Sequence, residues 1–215
     1  MNCYKYDEKF LQAIKKLQQK DCVLLWLYAP GYIKGLESSI ANMKELTGID
    51  FELMPYPMSS AATFADKRVM GTPYAEVTPL FAAKNFGVEV LARYKNGKPA
   101  VVAKKIGKAL SVFSGAWQLD MEFIAEMLKR AKVYRYITTP DAFDACTDLA
   151  VLHARYPGKK VIKLPKKATV IDVEKKVLVG KNIDRIESSF DLHQTKCYYF
   201  GKDAEKLLEE LKQIK

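Results

Sequence analysis

Residues Cys22-Val23-Leu24-Leu25-Trp26-Leu27-Tyr28 form an unbroken apolar run that stops at Ala29-Pro30-Gly31-Tyr32. Helical periodicity lies on either side of it. A run this short predicts a strand covered on both faces, the central strand of a parallel sheet. In such sheets, ligands and catalytic groups gather where strands end and helices begin. Ala29 to Tyr32 is therefore the first place to look for chemistry.

The flanking pattern supports an α/β reading. Phe10, Leu11, Ile14 and Leu17 share one face of a helix over 7–19, with Asp7 and Glu8 at its start. Ile33, Leu36, Ile40 and Met43 continue at helical spacing after the turn, and Gly48 is placed to end that helix. Phe51–Met54 and Leu80–Ala83 read as short strands, and 55–79 as irregular connection. Asn96-Gly97 between two strand-like runs predicts a hairpin with a type I′ turn. Ala109–Ser114 reads as a strand, Asp120 as the cap of a helix through Lys129, and Val133–Ile137 as another strand. Thr139-Pro140 reads as cap and first residue of a short helix. From Leu149 the texture changes to short β-branched and aromatic runs separated by Pro157-Gly158, Pro165, Gly180 and Gly201, which predict an antiparallel β unit. An amphipathic helix capped by Asp203 closes the chain. The expected division is 1–148 for the α/β part and 149–215 for the β part.

Composition limits the function classes. At 215 residues, 49% hydrophobic and 28% charged, the chain suits one large domain or one domain plus a small one. No apolar run approaches the ~20 residues that span a bilayer, and Met1–Asp7 has no apolar core of the signal-peptide kind. The expectation is a soluble chain with no membrane partner, its localisation otherwise open. Cys3, Cys22, Cys146 and Cys197 form no CxxC, and His153 and His193 are the only imidazoles. Zinc-site spacing is missing, so no metal and no cofactor is expected. The net charge of +10 favours anionic partners in general. The lysines of 159–181 lack the interleaved aromatics of single-strand nucleic-acid modules, so nucleic acid is not expected. Gly31-Tyr32-Ile33-Lys34-Gly35 and Gly71-Thr72-Pro73 lack phosphate-loop spacing.

Leu24–Tyr32 followed by Asn42–Ile49 resembles the class I glutamine-amidotransferase-like domain, related to a trimerisation domain, of beta-galactosidase-like glycoside hydrolases. Pro79-Leu80-Phe81, Val101–Lys108, Ser111-Val112-Phe113 and Leu152-His153-Ala154 through Pro165 extend the likeness, which covers most of 2–200. The resemblance implies a flavodoxin-like sheet with helices on both faces, then a small antiparallel β unit and a C-terminal helix. Asn2–Asp7 resembles the end of that fold's middle strand and the start of its next helix, so the resemblance implies a fold without its N-terminal part. The Val23-containing strand is then expected near a sheet edge, covered by something else, such as a second copy.

Active amidotransferases place a nucleophilic cysteine on a strand-to-helix elbow. Here that turn is Tyr28-Ala29-Pro30-Gly31-Tyr32, without Cys, Ser or Thr, and Cys22 lies at the wrong end of the strand. The leading expectation is a non-catalytic structural or oligomerisation module of a carbohydrate-active protein. Its partners are a second copy or the remainder of a longer glycosidase-like polypeptide. The alternative is a carbohydrate-binding module that uses Tyr28 and Tyr32 at the strand end, with Trp117 from the loop 115–118. A degenerate amidohydrolase is the third reading. Trp26 and His153, inside apolar runs, read as core residues.

Overall fold

The computed structural model describes residues 3–214, so Met1 and Asn2, read as part of a strand end, lie outside the described residues. The architecture is mixed α/β, with four helices and several sheets among the described residues. The chain divides into one unit up to Val133 and a second from Tyr134. The sequence places that boundary after residue 148. The difference arises because Ala142–Ala145 is not helical after Thr139-Pro140; it is a strand laddered antiparallel onto Leu149–His153. Phe143 packs against the core of the second unit, and Val133–Ile137 forms no strand.

The first unit is built on a six-stranded sheet. Its order is Val23–Leu27, Ala109–Ser114, Pro99–Ile106, Glu89–Arg93, Ala62–Phe64 and Val69–Met70. Val23–Leu27 runs parallel to Ala109–Ser114, and the other pairings are antiparallel. The opening strand thus stands at the end of the order, not at the centre of a parallel sheet. Strand alternation sends its side chains to two cores. Leu24 and Trp26 join Leu11 and Ile14 of α1 (Glu8–Gln18) and Met43 and Leu46 of α2 (Ile40–Thr47). Val23 and Leu25 pack on the opposite cluster, with Phe123 and Met127 of α3 (Met121–Arg130). The sheet therefore has helices on both faces.

Local chemistry sets the helix ends. Asp7 accepts from Phe10 N at 2.8 Å and Asp120 from Phe123 N at 2.7 Å, each satisfying a donor the helix leaves unpaired. Gly48 ends α2 at φ +75°. That helix starts only after Ser39; Ile33–Lys34 and Glu37–Ser38 form a small hairpin instead. Gly35, at φ +64°, makes the turn and leaves Leu36 wholly exposed, which breaks the apparent helical face. Residues 55–79 also carry more order than their composition suggests, since Ala62–Phe64 and Val69–Met70 extend the main sheet. At the Asn96-Gly97 hairpin only Gly97 has positive φ, and Gly97 N donates to Tyr94 O at 2.9 Å. That is a type I turn closed by a left-handed glycine, not a type I′ turn.

The second unit is a five-stranded antiparallel sheet in the order Ala142–Ala145, Leu149–His153, Thr195–Tyr199, Gly158–Asp172, Val177–Phe190. One face carries its core, and α4 (Ala204–Gln213) packs through Ala204 and Leu208 on Ile171. Asp203 precedes α4 but its carboxylate makes no capping bond. Among the described residues, no helix is long and apolar enough to cross a membrane.

Candidate functional site

The chain leaves the Val23–Leu27 strand through Tyr28, whose N–H still donates to Ser114 O at 2.8 Å. Tyr28 then turns with φ +63°. A bulky non-glycine residue in the left-handed region is a genuine conformational outlier, held there by its surroundings. Gly31, also at positive φ, packs so closely that a Cβ would lie 2.7 Å from Leu46 and 3.0 Å from the Tyr6 ring. Gly31 N donates to Cys3 O at 2.6 Å and Ile33 N to Tyr4 O at 2.8 Å. These bonds lay residues 3–6 beside the turn and bring Tyr4 into the site.

Trp117 arrives from the neighbouring strand. After Ala109–Ser114, Gly115 N donates to Ala100 O at 2.9 Å and Ser114 Oγ donates to Ala116 O at 2.7 Å. This tight exit sets the indole beside Tyr28, with ring centroids 5.9 Å apart. The Tyr28 ring also meets Tyr4 edge-to-face at 5.8 Å and Phe81 edge-to-face at 6.2 Å. Tyr32 meets the same Phe81 at 4.9 Å, with the rings tilted by 53°. The Tyr28 hydroxyl donates to Pro79 O at 2.6 Å, and burial, with the Tyr4 phenol beside it, pushes its pKa up. Tyr28 is thus a fixed neutral phenol.

The three residues singled out in the sequence are therefore assembled: Tyr28 with Trp117 directly, and Tyr32 through Phe81. Sequence reasoning missed Tyr4, Phe81, Thr72 and Gln118. Thr72 Oγ1 donates to Gln118 Oε1 at 2.6 Å, beside Trp117. Only Phe81 had a signal, the Pro79-Leu80-Phe81 strand start; the others are joined by tertiary contacts.

The turn offers no nucleophile. Cys3 is the cysteine tied to it through backbone, but its thiol donates to Lys5 O at 3.0 Å and burial raises its pKa. A raised thiol pKa opposes thiolate chemistry. Cys22 Sγ donates to Leu17 O at 3.5 Å at the far end of the strand. Cys146 and Cys197 belong to the second unit, where burial and nearby acidic groups raise the Cys197 thiol. Both histidines belong to that unit too. His153 is exposed, not in the core, because alternation buries Leu152 and Ala154 around it. It hydrogen-bonds Thr195 Oγ1 at 2.9 Å and stacks on His193. Among the described residues, no group of three or more His, Cys, Asp or Glu is placed to hold a metal. Lysines of the 159–181 region enter ion pairs: Lys159 with Glu187 at 2.7 Å, Lys160 with Asp141 at 3.0 Å and Lys181 with Glu205 at 2.8 Å.

The sequence matches no protein-family model and no curated protein. Its fold, however, matches solved glycosidases. Against the beta-galactosidase from Bacillus circulans sp. alkalophilus the TM-score is 0.61 at 11% identity, over 92% of this chain and 32% of that one. The beta-galactosidase from the Antarctic haloarchaeon Halorubrum lacusprofundi gives 0.58 at 13%, over 94% and 31%. A catalytic mutant of a GH42 beta-galactosidase from G. stearothermophilus gives 0.56 at 15%, over 92% and 30%. The chain thus spans about 30–32% of the length of these neighbours. At such identities the likeness is one of fold.

Proposed function

We propose that this chain is a non-catalytic structural module of a glycoside hydrolase-like protein, related to the amidotransferase-like, trimerisation-type domain of beta-galactosidases. In this reading the first unit is a flavodoxin-like derivative that has lost its chemistry. The second is the small β module that follows it. One observation carries the proposal. The turn after Val23–Leu27 holds Tyr28 where an elbow would hold its nucleophile, and the next helix begins only at Ile40. A cysteine elbow needs both the sulfur at the turn and the helix N-terminus behind it. The match to about a third of several beta-galactosidases supports a place within, or alongside, a larger glycosidase.

Light scattering across a micromolar concentration series tests the assembly role. A stable mass that is a whole multiple of the chain is expected, with no turnover of nitrophenyl glycosides or glutamine. A strict monomer at every concentration would remove the assembly role. Glycoside turnover that survives repurification, or turnover of glutamine abolished by a thiol reagent, would overturn the non-catalytic reading.

A further inference from the structure

We propose that Tyr4, Tyr28 and Trp117 form a binding platform for a neutral saccharide, with Thr72 and Gln118 as its hydrogen-bonding edge. This goes beyond the assembly role and does not depend on it. The site is a cluster of rings around Tyr28: Tyr4 meets it edge-to-face at 5.8 Å and 77°, and Trp117 meets it tilted at 5.9 Å. Its outer members face solvent: Tyr4 is 40% and Trp117 45% exposed. The central ring is the best fixed, through its hydroxyl on Pro79 O and its edge on Phe81. Tyr28 reaches that position only by adopting the left-handed backbone conformation. Such outliers mark places where a side chain is held for a purpose other than backbone comfort.

The chemistry of the group selects its ligand. A pyranose has one face of C–H bonds and a rim of hydroxyls. The C–H face suits the negative face of an aromatic ring, and the rim needs a few placed polar groups. The rings of Tyr28 and Trp117 are tilted by 44° from one another, so a ligand lies against one ring face while the other ring stands beside it. Gln118 is exposed beside Trp117; its carbonyl accepts from Thr72, and no hydrogen bond within the described residues uses its two amide donors. None of these side chains carries a charge, so the site has no counterpart for the phosphates that dominate nucleic-acid affinity.

The chain contains two tryptophans, and Trp26 is fully buried. Iodide quenching of tryptophan emission therefore reports Trp117. The full chain would be titrated with methyl β-galactoside, lactose, cellobiose and mannobiose, each to about 10 mM, by calorimetry and by quenching. Saturable binding that shields Trp117 is expected for at least one sugar. Trp117→Ala and Tyr4→Ala are each expected to weaken it about tenfold or more, a change of one decade in Kd, with unchanged far-ultraviolet circular dichroism. Three results overturn the proposal: no saturable binding of any of the four, binding that both variants retain, or a fall in oligomer mass in Trp117→Ala. The last would assign the patch to a second copy of the chain, supporting assembly while removing the sugar.

Discussion

Gly115 shows how tightly the aromatic site is backed. A Cβ there would lie 1.7 Å from the Tyr94 hydroxyl, although the glycine's own φ is not in the left-handed region. The objection to a larger residue is space alone. Tyr94 is buried and donates to Phe81 O at 2.8 Å, which ties the base of the platform to the main sheet. Burial holds its phenol neutral, with a pKa well above the usual value. Gly115→Ala is expected to cost about 1–3 kcal/mol by overpacking. Tyr94→Phe removes the closest contact, leaving the ring carbon 2.9 Å away, but strips Phe81 O of its donor, also about 1–3 kcal/mol. Because the two share one contact, the double variant should lose less than the sum, by about 0.5 kcal/mol or more. Urea midpoints at constant slope measure this, and strict additivity would show that the two residues do not meet. At this scale the sequence was legible only in part. Tyr28, Tyr32 and Trp117 stand out in the sequence because each follows a recognisable strand. Tyr4 and Gln118 were not, since the bonds from Gly31 and Ile33 to residues 3 and 4, and from Thr72 to Gln118, join segments with no shared local pattern.

Elements were easier to identify than to delimit. The helices ending near Gln18 and Arg130 follow from Asp caps and a single apolar face. In the second unit Pro165 and Gly180 look like strand breakers, yet each lies within a long strand, Gly158–Asp172 and Val177–Phe190. The register shifts between Lys163 and Ala168, so the exposed proline sits at an irregularity where no ladder bond is required of it. The same strand carries Lys160, whose side chain is 7% exposed, against a fully enclosed Asp141 side chain. Asp141 Oδ1 accepts from Lys160 Nζ at 3.2 Å and from Arg155 N at 2.9 Å. Burial pushes the Asp141 pKa up, but hydrogen bonds from Thr139, Lys160 and Arg155 outweigh it and leave the pKa below the ordinary value. A carboxylate depressed in the folded state stabilises above its unfolded pKa, about 3.9. That contribution is lost as pH falls through the folded value. Chemical denaturation from about pH 7 to pH 2 should therefore show stability falling below about pH 4. Lys160→Met strands the buried carboxylate, so about 3–5 kcal/mol should go at neutral pH. Protonation would then favour the folded form, and the variant's acid limb should flatten or reverse. An acid limb identical to the parent's would show that this pair is not its source.

Two units could be anticipated from the change of texture near Leu149, but not the point where they divide. Residues 133–148 mix a proline, three aspartates and scattered aromatics with no clear period, and their role is visible only in what they pair with. Ala142–Ala145 adds the terminal strand to the second sheet, and Asp141 supplies the counter-charge to Lys160. The unit from Tyr134 also has a core of its own, including Leu152, Ile162, Leu164, Ile186 and Tyr198, with α4 packed on Ile171. A unit with its own core is expected to fold alone. Expressed separately, the segment 134–215 should unfold in one cooperative transition, seen alike by circular dichroism and tryptophan-free near-ultraviolet signals. The segment 149–215 contains the β-branched and aromatic runs that the sequence marks as the β unit. It lacks both the Ala142–Ala145 strand and Asp141, so Lys160 would lie in the sheet without its partner. Removing one member of a buried pair costs about 3–5 kcal/mol, a large share of the ~5–15 kcal/mol that holds a domain together. The shorter segment should therefore be much less stable or fail to fold. Equal melting of the two segments would put the boundary after 148 and make the preceding strand dispensable.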